Sequence, residues 1–269
     1  LALAKKLNHL IFKDKQADEV GGTLKGLQLT PKIEAGNISI FEKSKQWGIL
    51  YYVRPNYTSI TDPITGWRKH KHIANSATAD KIKEFFIKED IKINFDKDKD
   101  CFVFSYKHNG KEWRLYAHKN LIRFKYNPQK KEIERIDLYK EFNNLLERYK
   151  EVQNTLSSLE QDKKFSWKRL AYLWNLLNQI RNSDRDKEGN ENDFLQSPVW
   201  SEKIQDFFDS RKVNEYKQKF GLILPENGDA NGAYNIARKG LIVLQRQLAN
   251  PLNKDLFVGD RDWDEFVVK

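Results

Sequence analysis

The sequence predicts an α/β protein carrying an α+β insertion, and three observations predict it. A continuous apolar run from Trp47 to Val53 has the texture of a strand buried on both faces. Asn109-Gly110, between two β-rich arms, signals a hairpin, because both residues accept the positive φ of a tight primed turn. From Ile136 the apolar spacing changes to a helical period.

Each element follows in order. "LALAKKLNHLIF" places Leu3, Leu7, Leu10 and Ile11 on one helical face with no capping signal ahead of it. The chain starts at Leu1 and contains no Met, so it reads as a piece of a longer protein. "KDKQADEVGGTLKGLQLTP" reads as a loop broken at Gly21-Gly22 and stopped at Pro31. Pro55, Pro63 and Gly66 punctuate the chain ahead of a lysine-rich region of short alternating segments, which places a domain boundary near Pro63. "DCFVFSYKHNGKEWRLYAH" is the hairpin, and "NLIRFKY" adds a third strand. Leu138, Phe142, Leu145 and Tyr149 form a helical stripe, and "WKRLAYLWNLLNQIRNS" is a second helix beyond a polar linker. "NSDRDKEGNEND" reads as a polar loop, and Phe220 to Leu224 as a brief apolar strand leading to Asp229. Ala233, Ile236, Ala237, Leu241 and Leu244 then repeat the helical period.

Composition narrows the function. Lys and Arg number 48 against 38 Asp and Glu, a net charge of +10, beside 7 Trp, 11 Tyr and 16 Phe. A basic, aromatic-rich surface suits a phosphate polymer whose bases can be stacked upon, although a lysine-rich genome would raise the charge in the same way. The single Cys101 excludes a disulfide framework and a zinc ribbon and points to a reducing, cytoplasmic compartment. No stretch has the length of a membrane span, and no signal-peptide pattern opens the chain. Nucleotide-binding glycine motifs, a nucleophile elbow and a catalytic-Cys context are lacking, which disfavours nucleotide-dependent and acyl-transfer enzymes. His9, His70, His72, His108 and His118 show no metal-ligand spacing, and "WRKHKH" reads as a solvated basic loop able to touch a phosphate.

Three residues are candidates for chemistry. Asp229 stands between an apolar run and a helical one, where it reads either as an N-cap or as a carboxylate holding Mg²⁺; pattern alone favours the cap. Arg181 continues the face of Leu170, Trp174 and Leu177, either as a snorkelling cation at a helix C-terminus or as a planar fork for phosphate. Asp193, at the end of the polar loop, reads as a solvated acid, or as one that orients the arginine or assists a metal.

The motif order resembles the type V-A CRISPR-associated (Cas) RNA-guided DNA endonucleases in the C-terminal part of their nuclease lobe. "KLNHLIFKD", "VGGTLKGLQLT", "GILYYVRPNYTSITDPITG", "LLNQIRNS", "NDFLQSPV", "FFDSR" and "DANGAYNIARKG" match along nearly the whole chain, with residues 67 to 165 matching more loosely. The resemblance implies an α/β fold, a split RNase H-like RuvC domain: residues 1–62 form a second RuvC segment and 218–269 a third, with an inserted α+β Nuc domain over 63–217. It implies that Asp229 is a catalytic metal ligand, one of three carboxylates binding two Mg²⁺ ions, the others lying ahead of Leu1. Arg181 takes the place of the Nuc-domain arginine that positions the DNA strand, and Asp193 that of the acid before "SPV". The implied partners are a guide RNA, target DNA and the rest of the same polypeptide, in a monomeric prokaryotic effector without a membrane role. Asn227-Gly228 departs from the family's acid-Ala, and Asn235 from its His. Two other readings remain: a basic nucleic-acid-binding scaffold without catalysis, and a transposon-type RuvC nuclease, whose four-Cys zinc ribbon this chain lacks.

Overall fold

The computed structural model describes residues 53, 55–127, 129–152, 155–185, 191–250 and 257–267. The expected N-terminal helix, the loop after it and the apolar run from Trp47 to Tyr52 lie outside the described residues. The chain divides into two compact units, one of Ser59–Gly232 and one of Leu1–Thr58 with Ala233–Lys269.

In the unit 59–232, helix α1 (Ala79–Lys88) opens at Thr78, whose hydroxyl accepts the Lys81 N–H at 3.4 Å. It buries Ile82 and Phe86, in a region whose lysines hide the helical spacing. Strands β1 (Lys92–Asp96), β2 (Cys101–His108) and β3 (Lys111–Tyr116) follow as an antiparallel sheet in that order. The β2–β3 turn has Asn109 at φ 49° and Gly110 at φ 79°, as the hairpin signal required. Strand β4 (Ile122–Asn127) covers much of "NLIRFKY" but pairs with β5 (Glu132–Asp137) in a separate two-stranded sheet rather than extending the hairpin. Asp137 then caps helix α2 (Leu138–Leu146), which buries Leu138, Phe142 and Leu146.

The expected polar linker contains a further helix, α3 (Thr155–Gln161). Helix α4 (Trp167–Leu177) starts at Ser166, which accepts the Arg169 N–H at 3.4 Å. Trp174 on α4 is fully buried, with Phe86 and Phe104 ring centroids at 5.6 and 5.7 Å and that of Tyr106 at 6.0 Å. Burial contributes on the order of 1.5–3 kcal/mol per fully buried large side chain of this cluster.

Several expectations are corrected beyond α4. The helix stops at Leu177, four residues before Arg181, and the buried Arg123 guanidinium closes its end, donating to Leu176 O at 2.9 Å and to Gln179 O just beyond the helix. Arg181 therefore opens a strand, β6 (Arg181–Arg185), instead of ending a helix. The expected polar loop is largely sheet: β6 pairs antiparallel with β7 (Glu191–Ser201), which pairs with β8 (Asp206–Asp209) across a register shift between Gln196 and Trp200. Phe220 ends helix α5 (Val213–Phe220), where Gly221 adopts φ 67° and returns its N–H to Lys217 O at 3.0 Å. Residues 221–227 form no strand, and Ile223 is 79% exposed. The "HKH" stretch is not a plain solvated loop either, since His70 stacks on His108 at 4.1 Å and His72 bonds to Asn175 Oδ1 at 3.0 Å.

Helix α6 (Gly228–Ala249) begins in this unit and continues into the other. Its apolar period does not mark the buried face: Ile236, Leu241 and Leu244 are 37%, 49% and 36% exposed. Asn231, Asn235 and Lys239 are buried instead, because backbone carbonyls receive their N–H groups. Within the unit that contains Ala233–Lys269, Asn235 Nδ2 donates to Thr58 O at 2.8 Å and Lys239 Nζ to Asn56 O at 2.9 Å. There, helix α7 (Asp260–Val267) packs Trp263 against Ile242, held by the Arg246–Asp262 ion pair at 2.7 Å.

Candidate functional site

The first turn of α6 explains where Asp229 sits. Asn227 precedes the helix, and its side-chain oxygen accepts the Ala230 N–H at 2.8 Å while its carbonyl accepts from Asn231 N at 2.9 Å. Asn227 is thus the N-cap, and Asp229 is a first-turn residue, which corrects the cap reading favoured by pattern. The helix starts earlier than the apolar period suggests. A carboxylate in this position is favoured by the positive end of the helix dipole without being spent on capping.

The three candidate residues converge within the unit 59–232. Arg181 Nε donates to Asp193 Oδ1 at 2.8 Å, and its terminal Nη2 donates to Asp229 Oδ1 at 3.3 Å. The Gly228 N–H donates to Asp193 Oδ2 at 2.8 Å. Asp193 lies in β7 opposite Ser183, so neither it nor Arg181 belongs to the loop and helix end expected for them. One carboxylate joins the first residue of β6 to the first residue of α6, bringing together positions 181 and 228 that are far apart in sequence.

The two carboxylates differ in what they have left to give. Both Asp193 oxygens accept protein N–H groups, which makes this residue a brace for Arg181. The Asp229 side chain is 90% exposed and receives Arg181 at the long end of hydrogen-bond range. An exposed contact of that kind contributes about 0–1 kcal/mol, so a ligand can replace it at little cost. The hydrogen bond that Arg181 donates to Asp193 chiefly raises the pKa of Arg181, against the opposing effect of desolvation. The guanidinium is permanently charged and retains N–H donors beyond these two contacts.

Gly228 was not legible as part of this site. A Cβ at that position would lie 2.5 Å from Arg181 Cζ and 2.7 Å from Cδ, so the lack of a side chain lets the guanidinium lie against the start of the helix. The departure to Asn227-Gly228 therefore has a local account, as cap and as clearance. Asn235, the other departure, is buried and donates to Thr58 O. Asn227 could have been singled out in advance, since Asn ranks with Asp as a cap.

Asp229 suits one position in the coordination sphere of a hard divalent cation, which prefers oxygen ligands and keeps several waters. Among the described residues no three His, Cys, Asp or Glu side chains gather as a metal-binding group, so Asp229 fits as one member of a set. No helix among the described residues is long and apolar enough to cross a membrane.

A carboxylate 90% exposed beside a guanidinium 39% exposed, at the N-terminus of a helix on a chain of net charge +10, is chemically able to meet a phosphate ester. The chain belongs to the RuvC nuclease domain family, which matches residues 1–269. Membership brings an RNase H-like α/β fold, and the described residues contain both helices and sheets. It also makes the protein a nuclease of a family that uses divalent metal ions.

Proposed function

We propose that the chain is the C-terminal RuvC and Nuc part of a type V-A CRISPR-associated, RNA-guided endonuclease that hydrolyses DNA. The observation that carries this reading is the convergence of Arg181, Asp193 and Asp229, the three residues singled out by the motifs "RNS", "NDFLQSPV" and "DANGA". In this reading residues 1–62 and 218–269 are RuvC segments and 63–217 the Nuc domain. The guide RNA, the target DNA and two further carboxylates, ahead of Leu1 in the same polypeptide, complete the working enzyme.

Asp229 would hold Mg²⁺ together with those carboxylates. When bound, two such ions would activate water and stabilise the leaving oxygen. The residues of this chain bind and orient. Arg181 places its planar fork on a non-bridging phosphate oxygen, exchanging its weak contact with Asp229 for the substrate. Asp193 keeps the guanidinium plane aimed while that exchange occurs, because its own contacts to Arg181 Nε and Gly228 N are short. The dipole of the α6 N-terminus favours the same phosphate.

The test is Asp229→Ala in the complete guided nuclease. Cleavage should fall by at least about 100-fold, since loss of even an outer-shell partner of a metal ligand costs 10–100-fold, while guided DNA binding stays near the parent level. Undiminished cleavage would overturn the assignment, and a parallel loss of binding would favour a scaffold role.

A further inference from the structure

Strand β7 carries Asp193 near one end and Trp200 near the other, and Trp200 lines a second feature of the same unit. A pocket of about 670 Å³ opens where the β1–β2 turn, the β3–β4 connection and β8 meet. That volume lies within the usual range for a site holding a nucleotide-sized ligand. Five cationic and three acidic side chains line it, beside Trp200, Phe207 and Phe208.

Most of the lining charges are paired. Lys119 meets Asp100 at 2.9 Å, Arg211 meets Asp209 at 2.6 Å, and Lys212 meets Asp206 at 3.0 Å. Burial opposes ionisation of Asp209, but hydrogen bonds from Arg211 and Gln196 outweigh it and hold the carboxyl below its ordinary range. Lys99 and Arg135 have no carboxylate partner among the described residues. Asp98 on the rim is exposed and outside the three pairs.

The aromatic lining is equally uneven. Phe207 is covered, with His118 stacked on it at 3.8 Å and 6°. Trp200 meets Phe207 edge-on at 5.3 Å, and Lys99 Nζ sits 3.8 Å from the centre of the indole. A lysine ammonium over an indole face is a weak occupant, held by about 0.5–1 kcal/mol at an exposed site. A nucleobase on an aromatic face gains more, about 1–3 kcal/mol.

We propose that this pocket holds one unstacked nucleotide of a nucleic-acid single strand, its base on the Trp200 face that Lys99 now covers and its phosphate between Lys99 and Arg135. Lys99 is a placeholder: it leaves the indole when the base arrives and pairs with the phosphate of the same nucleotide. The nucleotide class follows from the combination of a π-face with two cations that have no carboxylate partner, and the proposal rests on the nuclease reading for the nature of the polymer. Deoxyribose and ribose strands share this chemistry.

The experiment uses the 269-residue chain and decamer oligonucleotides, deoxy and ribo, carrying one 5-iodouracil. Irradiation should crosslink the iodouracil to Trp200. Trp200→Ala should weaken binding about tenfold and Trp200→Phe should restore most of it. Changing Lys99 and Arg135 together to Ala should lower the salt slope of binding by about 0.7, the share of the one phosphate they hold. Stronger binding and crosslinking of the deoxy strand would assign the pocket to DNA, and of the ribo strand to RNA. No crosslink at Trp200, with affinity and salt slope unchanged in the variants, would overturn the pocket. If that occurred while cleavage by the guided nuclease still required Asp229, the pocket alone would fall. Cleavage independent of Asp229 would instead remove the active-site assignment and leave a Trp200 crosslink standing.

Discussion

Arg123 and Arg181 carry the same side chain within one unit and do opposite things with it. Arg123 is fully buried and gives its N–H groups to backbone carbonyls: Ile122 O at 2.8 Å, Leu176 O at 2.9 Å, Gln196 O at 3.2 Å, and Gln179 O. Arg181 is 39% exposed and faces two carboxylates. Burial pulls the Arg123 pKa down to about 9, with Asp209 acting in the opposite direction, so it remains a cation at neutral pH. The carbonyls at the end of α4 supply the partial negative charge that replaces its water. A guanidinium saturated by backbone fixes architecture, whereas one held on a single edge by a carboxylate is left with donors for a ligand. The buried arginine also serves the exposed one, because it ties the end of α4 to β7 just before Arg181 and just after Asp193.

The largest effect expected from this contrast is that of Arg123→Met. It leaves several buried carbonyls without donors, and stability should fall by about 3–5 kcal/mol, read as a lower urea midpoint. Arg181→Ala should change stability by less than about 1 kcal/mol in the same assay, yet lower cleavage by the guided nuclease about 100-fold. Equal destabilisation by both substitutions would break the comparison.

His70 sharpens it with the smallest effect, as a base that resolves burial by staying neutral. Desolvation first, then the charges of His108, Arg68, Lys71 and Lys111, push its pKa down to about 3. Tyr106 OH lies 3.2 Å from Nδ1, and the ring stacks on His108. The unfolded imidazole titrates near 6.5, so the unfolded chain binds the proton first as pH falls. The contribution of His70 is complete above about pH 6.5 and is lost as pH drops toward about 3. Unfolding free energies measured across that window should fall less steeply for His70→Gln than for the parent, and identical slopes would refute the neutral assignment.

Local signals in the sequence were legible where one short stretch decided the outcome. Asn109-Gly110 set its own turn, and the α2 stripe and the start of α4 followed their apolar spacing, because neighbouring residues alone satisfy those patterns. The end of α4 was not legible, since the group that claims its carbonyls is Arg123, on a strand elsewhere in the chain. The buried face of α6 was misread for a related reason: Asn231 and Asn235 are buried by hydrogen bonds to Ser59, Thr61 and Thr58 carbonyls, which no helical period encodes. Motif order singled out the site residues, but their spacing gave no hint that Asp193 would bridge Arg181 to Gly228.

Gly228 and Arg181 share one small volume, and that makes them a single unit of variation. A methyl group at 228 would push the guanidinium away from Asp193, whereas a side chain at 181 that stops short of Cδ would leave room for it. Substitutions at the two positions should therefore be strongly non-additive, each one's effect depending on which residue occupies the other. Sequence exchange between related nucleases at this helix start has to move both positions together, although they lie on separate elements and neither resembles the other in chemistry.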